Sequence, residues 1–349
     1  MRLEGKKVMV TGGAGFIGSH LVDSLLKKNC RVLVVDDFSS GEHVNVAHHR
    51  ANPNVTVETA DIRDETSLRR LMYGVDGVFH LACRNVRLSL KRPTEVHEVN
   101  ATGTLNLLKA AAAAGVERFL YTSSSEVNGT ADVIPMPEDY HFKPETIYGA
   151  SKLTGEYYTQ VFHRAGWLEA VIVRPHNNYG PREHYQGHKG EVIPRFILWA
   201  MAGQQPIILG DGLQTRDFTY VLETASYLVR MMEHPKAAGG IFNLCRGEEL
   251  SIAELARLII DISGRALSPR HLPGRPNDVL RLYGDPTRMR KLLGDSPSVS
   301  IREGLSETFE WFKKNVHIDQ ALLDDLSPQN WEQVEPEEWL AAWGVSRRK

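Results

Sequence analysis

Short continuous apolar runs and stretches of helical periodicity follow one another along the first half of the chain. Val8-Met9-Val10 is too short for a helix and reads as a strand buried on both faces. After a glycine-rich turn, apolar residues recur at helical spacing from about Ile17 to Lys28. Further strands are expected at Arg31 to Val35, Asn54 to Glu58, Val75 to Ala82, Val116 to Thr122 and Glu169 to Arg174. Between them lie a helix carrying Leu68, Leu71 and Met72 behind an Asp64 N-cap, and a long helix from about Thr94 to Ala114 with Gly115 as C-cap. A third opens at Tyr148 and runs to about Ala165. Such alternation predicts an α/β fold, a parallel sheet with helices on both faces. Ligands gather at the C-terminal edge of these sheets, and Ser123-Ser124-Ser125-Glu126 is delivered there.

Residues 129–144 are rich in Pro, Asp and Glu and read as a loop over that edge. Past Pro175 the elements shorten and arginines cluster, which suggests a smaller substrate-binding part. The expected division is 1–175 for the nucleotide-binding domain, with segments near 213–245 returning to it. Residues 176–315 are assigned mainly to substrate, and 316–349 to an extension with Trp331, Trp339 and Trp343, read as a docked helix.

The formal net charge of −2 gives no electrostatic case for nucleic acid or an anionic membrane as partner. The first apolar run is too short for a signal segment, and no stretch approaches a membrane span. Cys30, Cys83 and Cys245 are odd in number and lack metal-ligand spacing, as expected of buried thiols in a cytoplasmic protein. No metal is expected.

Chemistry concentrates at two places. In Gly12-x-x-Gly15-x-x-Gly18 the first glycine permits the turn, the second lets a pyrophosphate approach, and the third lets helix and strand pack closely. The helix N-terminus then faces the phosphates. Asp36 ends the second strand, where a carboxylate suits the adenosine ribose hydroxyls; with no Arg beside it, NAD is favoured over NADP. Tyr148 and Lys152 stand four apart on one helix face. An ammonium and a cationic nicotinamide would favour the phenolate, making Tyr148 a base for a substrate hydroxyl. Ser124 is the natural hydrogen-bond partner of that hydroxyl.

Thr11 to Gly18, Asp36, Asp61-Ile62, His80-Leu81-Ala82, Asn100, Ser123 to Ser125 and Tyr148-x-x-x-Lys152 together resemble the extended short-chain dehydrogenases/reductases. They are similar in particular to the NAD-dependent sugar-nucleotide epimerases and dehydratases, over residues 5–315. The resemblance implies a Rossmann-type doubly wound sheet with a smaller α/β substrate-binding domain. It implies NAD held by Gly12, Gly15, Phe16, Ile17, Gly18, Asp36, Asp61, Ile62, Leu81, Ala82, Asn100 and Ser123, with Tyr148 and Lys152. NAD would oxidise a nucleoside-diphosphate sugar at C4 and return the hydride later. Asn177, Val192, Arg216, Arg275 and Asp278 would hold the nucleotide diphosphate, and the helices of Thr94–Ala114 and Tyr148–Ala165 would form a four-helix homodimer interface.

The reaction turns on residues near Tyr148. Glu126 occupies the position from which related 4,6-dehydratases remove the C5 proton, which a C4 ketone makes acidic. Ser125 stands where those enzymes usually carry an acid, and Ser125-Glu126 also resembles the decarboxylases of UDP-glucuronate. Arg84 and Arg87 after the fourth strand would suit a sugar carboxylate. The leading expectation is a nucleoside-diphosphate-hexose 4,6-dehydratase with Tyr148, Lys152, Ser124, Glu126 and Ser125 as its catalytic set. A 4-epimerase of a hexose or uronic acid is the alternative, a decarboxylase the third, and an inactive NAD-binding regulator the reading from another class. The Arg182 to His188 loop has no assigned purpose, and its histidines are not at metal spacing.

Overall fold

The computed structural model describes residues 1–131, 133–274 and 279–326. Its centre is a seven-stranded sheet of β1 (Lys7–Thr11), β2 (Arg31–Asp36), β3 (Val55–Thr59), β4 (Gly77–His80), β5 (Arg118–Thr122), β6 (Ala170–Pro175) and a last strand, Ile241–Leu244. The spatial order is Ile241–Leu244, β6, β5, β4, β1, β2, β3, with every pairing parallel. The chain winds outward from β1 to β3, then crosses back to β4, so the topological switch lies between β1 and β4. That is where a doubly wound sheet opens its binding crevice.

Two-residue periodicity decides which way each side chain faces. Val8 and Val10 join Leu21, Leu25, Phe79 and Leu120 in the core on one face, against α1 (Phe16–Lys27) and the helix Val221–Glu233. Met9 points the other way, among Leu68, Leu107, Phe119 and Phe162, under α2 (Glu65–Leu71) and the helices that follow. A separate core built on Phe196, Trp199, Phe218, Leu255 and Phe312 supports the second half. Asp64 caps α2 as expected, its carboxylate accepting from the N–H groups of Thr66 and Ser67.

The long helix expected from Thr94 to Ala114 is broken into three. After α3 (Val86–Lys91), α4 (Pro93–His97) runs into a π-helical stretch, Glu98–Gly103, before α5 (Thr104–Ala113). The widened stretch has a use, as π-bulges commonly do. It carries the Asn100 amide to the Arg84 backbone, accepting from its N–H at 2.7 Å and donating to its carbonyl at 3.1 Å. The same amide donates to Ser151 Oγ at 3.1 Å.

α6 (Ile147–Arg164) begins at Thr146, whose hydroxyl accepts from the Gly149 N–H at 3.0 Å. It is clamped to β6 by a fully buried Arg174–Glu156 pair with two bonds of 2.7 Å. Removing either partner would strand a buried charge, at a cost of about 3–5 kcal/mol. Among the described residues no helix is long and apolar enough to cross a membrane. Trp331, Trp339 and Trp343 lie outside the described residues.

Candidate active site

A cavity of about 630 Å³ opens at the C-terminal ends of β1, β2, β4, β5 and β6 and extends into the second half. At one end its floor is the glycine turn. Gly12 has φ +69°, and a Cβ there would lie 2.8 Å from the Ala82 nitrogen; one on Gly18 would lie 2.1 Å from the Gly12 carbonyl oxygen. Helix α1 thus presses on the turn, and no side chain caps its N-terminus at Gly15. Its opening N–H groups and partial positive charge face the cavity where Gly15, Phe16 and Ile17 line it.

The Asp36 carboxylate closes this end. It accepts from the N–H groups of Ala14 and Phe38, each at 2.9 Å, and burial pushes it above the ordinary carboxylate range. Each oxygen retains acceptor capacity toward the cavity. Asp61, Ile62, Leu81 and Ala82 continue the wall. Thr122 Oγ1 and Ser123 Oγ are buried without a hydrogen-bond partner and belong to the same lining, so a bound group has polar atoms to satisfy. Glycine cradle, ribose-directed carboxylate and orphaned hydroxyls fit a dinucleotide. Asn100 is not on this wall; it acts behind it, on the Arg84 backbone.

Tyr148, Lys152, Ser124, Ser125 and Glu126 come together in the middle of the cavity. Gly149 lets them meet, since a Cβ there would be 2.5 Å from the Glu126 carbonyl oxygen. Lys152 is buried, donates to the Thr122 carbonyl and lies 4.7 Å from the centre of the Tyr121 ring. Burial pulls its ammonium below the usual lysine range. Burial also pushes the Tyr148 phenol well above its ordinary value, helped by the negative forms of Cys83, Glu126 and Glu191 and opposed by a hydrogen bond to Ser124. The protein's own groups therefore keep Tyr148 protonated, contrary to the direction expected from Lys152 alone. Cys83, read from sequence as a buried thiol, is only partly buried and lines the cavity.

The far end differs from expectation most. Arg84 lines the cavity and reaches the tip of β2, pairing with Asp37 and Glu95 at 2.9 Å each and donating to the Ser39 hydroxyl. The Asn100 clamp on its backbone and these two carboxylates fix it there. Arg87 pairs with Glu191 at 2.7 Å and donates to the Lys189 and Gly190 carbonyls. Asn177, Val192 and Arg216 line the cavity beside Phe196 and Phe218. Arg275 and Asp278 lie outside the described residues.

Sequence reasoning missed Glu183, a buried acid in the cavity wall that accepts from the Gly180 N–H at 3.2 Å. Burial and neighbouring Glu191 push it well above the ordinary carboxylate range. The loop bearing it, left without a purpose above, bridges the cavity rim, for Lys189 donates to the Ser39 carbonyl at 2.8 Å.

Comparison with known proteins places the chain among enzymes of three chemistries. It is 35% identical over 326 residues to UDP-glucuronic acid decarboxylase 2 of Arabidopsis thaliana, covering 92% of this chain and 71% of that protein. The crystal structure of Thermotoga maritima UDP-glucose 4-epimerase with UDP-glucose superposes with a TM-score of 0.84 at 33% identity, covering 89% of this chain and all of that one. The dTDP-glucose 4,6-dehydratase DesIV from Streptomyces venezuelae, solved with NAD and TYD bound, gives 0.84 at 32%, covering 90% and 99%. The model of the NAD dependent epimerase/dehydratase family matches residues 8–245. With a cradle that fits NAD and an assembled Tyr148, Lys152 and Ser124, the chain is an enzyme and belongs to the NAD dependent epimerase/dehydratase family.

Proposed function

We propose that this enzyme inverts C4 of a nucleoside-diphosphate hexose whose C6 substituent carries no negative charge. It is an NAD-dependent enzyme that modifies a nucleoside-diphosphate sugar through a 4-keto intermediate. Two guanidiniums and an amide, those of Arg216, Arg275 and Asn177, suit the nucleotide diphosphate.

When bound, NAD supplies the hydride acceptor for C4 and a positive ring that favours the Tyr148 phenolate. Tyr148 then takes the O4 proton, with Ser124 orienting that oxygen and Lys152 opposing the accumulated negative charge. After oxidation Tyr148 holds the proton until O4 needs it again. Turning the 4-keto sugar over before it is reduced gives the epimer.

The observation that carries this reading is the commitment of Arg84 and Arg87 to Asp37, Glu95 and Glu191. With both cations already paired, neither guanidinium is offered to a sugar carboxylate, and Glu126 lies on the wall close enough to act on Tyr148, which disfavours a uronic acid and hence its decarboxylation or epimerisation. A second reading, 4,6-dehydration, is favoured by Glu126 lining the cavity and acting on Tyr148. Against it stands Ser125, since a hydroxyl is a poor acid for a departing C6 oxygen.

Incubation with UDP- and dTDP-glucose, UDP-N-acetylglucosamine, UDP-glucuronate and GDP-mannose separates the readings by product mass. An unchanged mass with a new sugar supports epimerisation. Loss of water or of carbon dioxide overturns it, and no turnover with NAD bound indicates a regulator. If Glu126→Gln abolishes exchange of the C5 proton with deuterium, dehydration gains and epimerisation loses. The proposal includes a homodimer through α4, α5 and α6: Tyr157 and Val161, one turn apart on α6, are 47% and 46% exposed. A monomer by light scattering removes that part.

A further inference from the structure

Away from the cavity, three segments meet at one carboxylate. Asp23 lies on α1, while His48 and His49 lie within the connection from β2 to β3. Both imidazoles aim Nε2 at the same Asp23 oxygen, at 2.9 and 2.6 Å, with ring centroids 3.9 Å apart. The three ligand atoms all lie within 4.8 Å of one another. The other Asp23 oxygen receives Arg182 at 2.9 Å, from the loop that lines the far end of the cavity. None of the four residues belongs to the cavity wall or to the chemistry proposed above.

Two imidazoles and a carboxylate oxygen are a donor set that zinc and its neighbours in the first transition row take up readily. At metal–ligand bonds of about 2.0–2.1 Å, tetrahedral neighbours stand about 3.3 Å apart. Each nitrogen must therefore move outward by about half an ångström. The His48 side chain, 44% exposed, has the freedom to do so and leaves the ion a way in from solvent. A metal-bound carboxylate is commonly held by an outer partner, and Arg182 already occupies that position. Its positive charge also weakens attraction for a cation, so the affinity expected is modest.

We propose that Asp23, His48 and His49 form a binding site for a divalent cation of the zinc class, with its remaining positions open to water. A bound ion would fasten the β2–β3 connection to α1. Through Arg182, and through His20, whose Nε2 is 2.8 Å from the Pro181 carbonyl oxygen, that anchorage reaches the loop carrying Glu183 and Lys189. The site thus touches both rims of the cavity without entering it. Since neutral imidazole is the ligand, the ion competes with protons for the site.

The test uses the untagged full-length chain, stripped with a chelator and titrated with zinc by calorimetry and with cobalt by visible absorption. One equivalent per chain is expected, with a cobalt ligand-field band and a zinc-dependent rise in melting temperature. The His48→Ala/His49→Ala variant should bind at least about tenfold more weakly and lose both signatures. The single His48→Ala variant, altered only at an exposed ring, serves if the double variant does not fold. No binding by the wild type, or equal binding by the variants, overturns the proposal and leaves a hydrogen-bonded cluster only.

Discussion

The two ends of the cavity are built from different materials. At the cofactor end, backbone makes the shape: Gly12 and Gly18 are pressed against carbonyl and amide atoms that cannot give way. At the sugar end the walls are side chains on loops, and their charges are spent on one another, as Arg87 is on Glu191. A backbone site tolerates one kind of ligand and resists change. A site walled by paired side chains can be retuned by a single exchange of partner, and relatives of equal similarity accordingly run three reactions.

The comparison predicts where substitution does most damage. Gly18→Ala should do the greatest harm, since its Cβ would meet the Gly12 carbonyl oxygen at 2.1 Å. NAD binding, read by fluorescence or calorimetry, should be lost along with activity, and stability should fall at the upper end of about 1–3 kcal/mol. Retention of NAD at wild-type affinity would break the contrast outright. Tyr148→Phe should lower kcat by about 10²–10⁴-fold while NAD affinity is kept, because the hydroxyl serves the proton and not the cradle.

Arg84→Ala sharpens the boundary between the two ends. Its partners Asp37 and Ser39 lie at the tip of β2, so NAD affinity should weaken by about fivefold, equivalent to about 1 kcal/mol. The KM for the sugar nucleotide should stay unchanged. A raised KM with normal NAD affinity would return Arg84 to the sugar and revive the uronate reading.

The smallest effect concerns His20, whose ring burial pushes down to about 4, with Arg182 adding to the shift. Its folded pKa lies below the unfolded value of about 6.5, so the unfolded chain binds the extra proton between those values. The stabilisation is full above about 6.5 and is lost as pH falls toward 4. Urea midpoints across that window should drop for the wild type. In His20→Gln the slope should be shallower by up to about 1.4 kcal/mol per pH unit.

What was legible in the chain was what is decided locally. The glycine turn, the Asp64 cap and the opening of α6 depend on residues a few positions apart, and spacing reveals them. The break at Glu98–Gly103 was not, since it goes with Asn100 reaching the Arg84 backbone, 16 residues distant. The destination of Arg84 likewise depends on Asp37, 47 residues away. Glu183 became notable only through its burial near Glu191 and Arg87, which no periodicity encodes. Adjacent histidines at 48 and 49 carry no message until α1 brings Asp23 between them.

The Lys189 link to the Ser39 carbonyl bears on thermodynamic bookkeeping beyond this pocket. A loop from the second half latched over the tip of β2 would hinder exchange of a dinucleotide held beneath it. If the reducing equivalent stays where it was generated, donor and acceptor are the same molecule at two moments. The ratio of oxidised to reduced nicotinamide in the surroundings then has no purchase on the direction of reaction. That direction is set by the relative stabilities of substrate and product alone.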